Sequence, residues 1–114
     1  EPLNMQYRFV DEGVDERMIL NAKQRKNLFL IFKEAVNNAA KYSSATELLI
    51  TFSQPAKILT MQITDNGVGF DSDKETAGNG LRNMNARAND LNAKFELKSE
   101  PGSGTVIFLE MSIT

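Results

Sequence analysis

The run TMQITDNGVGFDSDKETAGNGLRNMNARA, Thr60 to Ala88, decides how the chain is read. It opens as a strand of alternating apolar and polar residues, passes four glycines set among acids, and continues as a helix. Alternate side chains of a strand share a face, so Leu59, Met61 and Ile63 point one way and Ile58, Thr60, Gln62 and Thr64 the other. The first set is the core set. Asp65 continues its parity, which aims a carboxylate at the layer where helices pack, a costly placement unless a partner satisfies it. The plain alternative is that the strand ends there and Asp65 is a turn or capping residue before Asn66 and Gly67.

The last strand repeats the pattern, because Thr105 shares parity with Ile107, Leu109, Met111 and Ile113. Upstream, Ala22 to Ser43 holds no glycine or proline, and Leu28, Phe32, Ala35, Val36 and Ala39 recur at the spacing of one helical face. Two strand-like runs follow, TELLITFS (Thr46 to Ser53) and KILTMQIT (Lys57 to Thr64), joined by QPA as an antiparallel hairpin. Tyr7 to Val10 forms a short strand ended by the turn-like Asp11 to Gly13, and Asp71 to Asn79 reads as a loop. Leu81, Met84, Ala88 and Leu91 mark a second amphipathic helix, and KFELKS and TVIFLEMSI supply two strands around EPGSG. The order strand, helix, two strands, helix, two strands predicts an α+β fold. It is a two-layer sandwich in which helices cover one face of a mixed, largely antiparallel sheet.

At 114 residues, 41% hydrophobic and 25% charged, the chain fits one domain spanning residues 1–114. A net charge of -2 argues against a broad nucleic-acid footprint, and the longest apolar run, Leu28 to Phe32, is far short of a membrane span. No nucleic acid and no membrane contact by this domain are therefore expected. Zero cysteine excludes thiol chemistry. Zero histidine removes the commonest general base, the commonest transition-metal ligand and any histidine phosphoacceptor within these residues. Beginning at Glu1 rather than methionine, the chain reads as a piece of a longer protein.

Two further features carry chemistry. At about 100° per residue, Glu34, Asn38 and Lys41 fall on one stripe of the long helix, joining an acid, an amide and a cation on a side distinct from the apolar arc. A solvated helix face has the same look. Gly67 and Gly69 permit close-approaching backbone after the strand, while Gly78 and Gly80 stand before the helix at Leu81, whose first N–H groups form an anion site of the kind phosphates use. The spacing matches neither a Walker A loop nor a dinucleotide fingerprint.

In order and spacing, FKEAVNNAAKYS (Phe32 to Ser43), DNGVGF (Asp65 to Phe70), GNGLRNM (Gly78 to Met84) and GSGT (Gly102 to Thr105) resemble the N, G1 and G2 boxes and terminal G-T element of the GHKL, or Bergerat-fold, ATPase superfamily. Within it, the glutamate opening the N box and the phrase GNGLRNMNARA resemble the catalytic domains of two-component sensor histidine kinases of the nitrate-sensor and desaturase-sensor type. The resemblance implies ATP and Mg²⁺ as cofactors. It matches Asp65 to the carboxylate that accepts from the adenine amino group, with Thr105 holding an ordered water. Asn38 matches the Mg²⁺ ligand, and Glu34 the residue that polarises the phosphoacceptor or assists metal hydration. Lys41 matches a phosphate-facing cation. Gly67 and Gly69 match the backbone approaching the nucleotide; Gly78, Gly80 and Leu81 match the lid hinge and the phosphate-facing helix start, with Asn37 and Arg82 at the rim. Tyr42 stands where relatives often carry histidine, and borders the apolar arc as a packing residue.

The implied reaction is transfer of the γ-phosphoryl group of Mg-ATP to a histidine on a dimerisation segment outside these residues, with a response regulator downstream, in the cytoplasm of a bacterium. Two alternatives share the motifs: an anti-sigma-factor serine kinase, and a non-enzymatic module in which nucleotide controls association.

Overall fold

A computed structural model of the chain describes residues 6–14, 20–41, 45–54, 57–68 and 80–113, with backbone alone for residues 40, 41, 80 and 81. The elements run β1 (Gln6–Glu12), α1 (Ala22–Lys41), β2 (Glu47–Ser53), β3 (Ile58–Asp65), α2 (Gly80–Asp90), β4 (Lys94–Ser99) and β5 (Thr105–Ser112). Each expected strand and helix is present, with ends shifted by one or two residues. Tyr42, the tip of the QPA turn and the loop Asp71 to Asn79 lie outside the described residues.

The strands form one sheet in the order β1-β2-β3-β5-β4. β2, β3, β5 and β4 pair antiparallel in turn, while β1 lies parallel to β2, so the sheet is mixed but largely antiparallel. The parallel pair follows from connection length: β1 returns to β2 through the whole of α1, the crossover that parallel strands require. Strand alternation decides which face is covered. Leu48 and Ile50 of β2, Leu59, Met61 and Ile63 of β3, and Ile107, Leu109 and Met111 of β5 are buried together with Leu28, Ile31, Ala35 and Ala39 of α1 and Met84 and Ala88 of α2. The opposite face carries Gln62, Glu96 and Lys98 toward solvent. The architecture is the two-layer sandwich the strand and helix order predicts.

Local signals close both helices. Asn21 caps α1 in a reciprocal box: its Oδ1 accepts from the Gln24 N–H at 2.8 Å, and Gln24 Oε1 accepts from the Asn21 N–H at 2.9 Å. α2 ends in a Schellman-type turn, the Ala93 N–H reaching Ala88 O and the Asn92 N–H reaching Asn89 O, both at 3.0 Å, with Asn92 at φ 54° as the left-handed residue.

The buried stripe of α1 differs from the expected arc. It comprises Asn27, Leu28, Ile31, Ala35, Asn38 and Ala39, whereas Phe32 and Val36 are half-buried. Relative to the apolar arc the stripe is rotated by roughly 60° at 100° per residue. The rotation has a physical reason: α1 packs on α2 as well as on the sheet, and Arg87 of α2 donates from Nη1 to Asn27 Oδ1 at 3.3 Å, drawing a polar flank into the interior. Phe32 instead meets Phe9 of β1, ring centroids 6.3 Å apart.

Ile31, fully buried on α1, belongs to the core shared by the helix layer and the sheet. Ile31→Ala is expected to cost about 2–5 kcal/mol of unfolding free energy. Phe29→Ala, on the exposed side of the same helix, should stay within about 0.5 kcal/mol of wild type in urea denaturation.

Candidate functional site

At one end of the sheet, Leu48, Asp65, Thr105 and Ser99 stand side by side across β2, β3, β5 and β4. All four are buried, so the core face changes from apolar to polar within a single row. Asp65 is only 9% exposed. Its Oδ1 accepts the Gly67 N–H at 2.8 Å, an Asx turn in which the residue two places on satisfies the carboxylate, and the Thr105 backbone, opposite Asp65 in the β3–β5 ladder, also favours the charged form. Burial outweighs these two contributions and holds the carboxyl above its ordinary value of 3.8.

Gly104 lets the strands close on that carboxylate. At φ +75° it adopts a left-handed conformation, and a Cβ there would overlap the Asp65 carbonyl oxygen. Next to it, Ser99 Oγ donates to Gly104 O at 3.1 Å and lies 2.8 Å from Thr105 Oγ1. Asn66 secures the outer side: its Oδ1 accepts from the N–H groups of Thr46 and Glu47, each at 2.9 Å, and its Nδ2 donates to Thr46 Oγ1 at 3.0 Å.

The helix layer reaches the same end of the sheet. The Ala45 N–H donates to Ala39 O at 3.0 Å, so the C-terminal turn of α1 abuts the start of β2, where Asn66 is anchored. One residue before Ala39, Asn38 is only 6% exposed, and among the described residues its Nδ2 has no hydrogen-bond partner. A buried amide without a partner is expensive, which distinguishes Asn38 from a residue of a solvated face. Glu34, one turn earlier, is half-buried and lines a cleft of about 230 Å³ between α1 and α2 with Leu30, Lys33, Asn37, Asn83, Met84 and Arg87.

Of the residues singled out in the sequence, Asp65, Gly67 and Thr105 meet directly, and Asn38 and Glu34 lie on the adjoining helix. Gly80 is the first residue of α2 and Leu81 the second, and no acid occupies the first turn. The side chains of Lys41 and Leu81 lie outside the description, as do Gly69 and Gly78 altogether. Asn37 and Arg82 are exposed. Strand and motif reading passed over Ser99 and the particular role of Gly104. The signal for Ser99 was available, since it shares parity with Phe95 and Leu97 in KFELKS.

Residues 23–114 match the family of histidine kinase-, DNA gyrase B- and HSP90-like ATPases, and the chain belongs to that family. A relative, the sensor protein VraS of Staphylococcus saprophyticus, is 38% identical over 82 residues, which is 71% of this chain and 24% of VraS. The chain therefore spans about a quarter of the length of the curated relatives it matches. Among solved structures, the Acinetobacter baumannii histidine kinase AdeS superposes with a TM-score of 0.75 at 18% identity, over 97% of this chain and 55% of that one. Full-length ShkA in complex with AMPPNP gives a TM-score of 0.75 at 17% identity, over 96% of this chain and 26% of that one. Both likenesses establish the fold.

Two outcomes follow from this geometry. Gly104→Ala combines a strained φ with overlap on β3, so a loss of at least about 2 kcal/mol is expected in denaturant unfolding. For Asp65 the folded-state value is raised, so its contribution to stability is full below the unfolded value of 3.8 and is lost as pH rises through the folded value. The stability of Asp65→Asn relative to wild type should accordingly rise as pH is raised above 3.8, measured as the difference between their melting temperatures.

Proposed function

We propose that residues 1–114 form one ATP-binding catalytic domain of a sensor histidine kinase. It binds Mg-ATP at the Asp65 end of the sheet and donates the γ-phosphoryl group to a histidine of a dimerisation segment elsewhere in the protein. The observation that carries this reading is the buried Asp65 carboxylate, held by the Gly67 N–H at the mouth of the core, where it can accept from a base. Family membership and the nucleotide analogue of ShkA support it. The domain itself has no histidine, so the acceptor must come from outside residues 1–114.

Asp65 accepts from the adenine amino group, and Thr105 holds the water beside it. Gly67 and Gly69 bring backbone to the nucleotide, Gly78 is matched to the lid hinge, and Gly80 and Leu81 at the start of α2 present helix N–H groups to phosphate. Among the described residues no cluster of three or more His, Cys, Asp or Glu could hold an ion. An ion here would take most of its ligands from phosphate and water, the habit of Mg²⁺. Asn38 fits it: rotation of the amide would place an oxygen where the unpartnered Nδ2 now sits. Mg²⁺ supplies neutralisation of phosphate charge. Lys41 adds a cation. In transfer, the imidazole nitrogen attacks the γ-phosphorus as the bond to the β–γ bridging oxygen breaks and ADP leaves. Glu34, at the rim of the interhelical cleft, takes the imidazole proton. A response regulator then receives the phosphoryl group. Among the described residues no helix is long and apolar enough to cross a membrane, and the site is assigned to the cytoplasm, where ATP is abundant.

Titration calorimetry and a transfer assay test the reading together. Wild type should bind Mg-ATP in preference to Mg-GTP, and Asp65→Ala should lose roughly ten- to hundredfold in affinity, the worth of a hydrogen bond to a charged group. Glu34→Gln should bind Mg-ATP nearly normally yet transfer slowly. With the parent's dimerisation segment added in trans, label should appear as acid-labile phosphohistidine. Acid-stable phosphoester on a protein hydroxyl would replace the histidine-kinase reading with the serine-kinase one. Tight binding without transfer would favour a nucleotide-gated module.

A further inference from the structure

Ser99 lies one strand beyond Thr105, outside the set of residues matched to the nucleotide. Its hydroxyl is nonetheless buried and doubly engaged. A hydroxyl has one proton. Ser99 directs its own to Gly104 O at 3.1 Å, so the proton in the 2.8 Å contact between Ser99 Oγ and Thr105 Oγ1 comes from Thr105. The Thr105 backbone N–H lies opposite Asp65 in the β3–β5 ladder and is taken up there. Both hydrogens that Thr105 could donate are therefore used inside the protein. What its Oγ1 still offers is lone pairs, beside a carboxylate that also accepts.

We propose that Ser99 is a positioning residue for base selection: by taking the Thr105 hydroxyl proton it fixes Thr105 as an acceptor, so that this wall of the site recognises only hydrogen-bond donors. The inference rests on the nucleotide-binding reading and deepens it. An adenine edge presents its amino group to Asp65, and a water beside it can donate to Thr105. A hypoxanthine edge puts a carbonyl oxygen where the amino group was, facing the Asp65 carboxylate and a Thr105 hydroxyl that can only accept. Without Ser99, the Thr105 hydroxyl is released to rotate and donate toward that carbonyl.

The test uses Mg-ATP and Mg-ITP as probes in calorimetric titrations of wild type, Ser99→Ala and Ser99→Thr, with circular dichroism as the check of folding. Ser99→Ala should lower the ratio of ATP to ITP affinity about tenfold, one hydrogen bond's worth of discrimination, and Ser99→Thr, which keeps the hydroxyl, should restore it. A purely structural Ser99 would weaken both nucleotides alike, and an unchanged ratio in folded Ser99→Ala overturns the inference while leaving ATP binding intact. Failure of wild type to bind ATP overturns the functional reading itself. Nuclear magnetic resonance of the unsubstituted protein decides the point even where a variant does not fold. A slowly exchanging Thr105 hydroxyl proton close to the Ser99 β protons is the expected signature, and a Thr105 hydroxyl exchanging freely with solvent excludes the fixed orientation.

Discussion

Everything at the polar end of this fold turns on one carboxylate that faces inward. Asp65 is carried into the core by the alternation that also buries Met61 and Ile63, so the strand cannot expose it without exposing them. The chain answers with backbone rather than with a cation. The Gly67 N–H comes from the turn leaving β3, and the Thr105 backbone stands opposite on the neighbouring strand. Neither neutralises the charge, and the carboxyl stays elevated. Closing β5 onto β3 at that level requires a residue without a side chain at 104, and Ser99 then ties the carbonyl of that glycine to β4. Three adjoining strands, β3, β5 and β4, are committed to holding one acidic group.

The helix layer is under a related constraint. A helix that covered this sheet with apolar residues alone would present Phe32 and Val36 to it. Instead α1 is turned so that Asn27 and Asn38 enter the interior. Asn27 is matched by Arg87 of α2, so its burial is compensated and joins the two helices. Asn38 is not compensated within the described structure. Two asparagines on one stripe thus have different standing: one is a structural contact between helices, the other an unpaired polar group near the Asp65 end of the sheet. The second costs stability that packing elsewhere must offset, and the proposed function supplies its partner in a bound ion.

Strand parity made much of this legible from residues alone, because a period of two is rigid and a single apolar row identifies the face. That reasoning reached Asp65 and Thr105, and the order of elements reached the two-layer architecture. It did not reach the parallel placement of β1, since no local pattern in Gln6–Glu12 records which strand lies beside it; Phe9 shares the core parity yet remains exposed at the sheet edge. Nor did it locate the stripe of α1. An apolar arc predicts the buried side only when the buried side is apolar, and here the polar flank that carries Asn38 displaced it. Ser99 escaped for a different reason: its parity with Phe95 and Leu97 places it on the core face, but only the ladder shows that its partner there is Thr105.

The division of labour between layers follows from what each can supply. A sheet end offers fixed backbone donors and acceptors in register, which suits the edge of a planar base, where a shift of one residue would reverse every side chain. A helix offers side chains at every turn and N–H groups at its start, which suits phosphates and the ion they carry. In the proposed function Asp65 and Thr105 therefore select the base from the sheet, while Asn38, Glu34 and the start of α2 handle the triphosphate from the helices. The two groups meet at one end because the chain joins α1 to β2 there, the Ala45 N–H closing onto Ala39 and Asn66 closing onto the first residues of β2. Loosening that corner would separate base recognition from phosphate chemistry while leaving each constellation intact within its own layer.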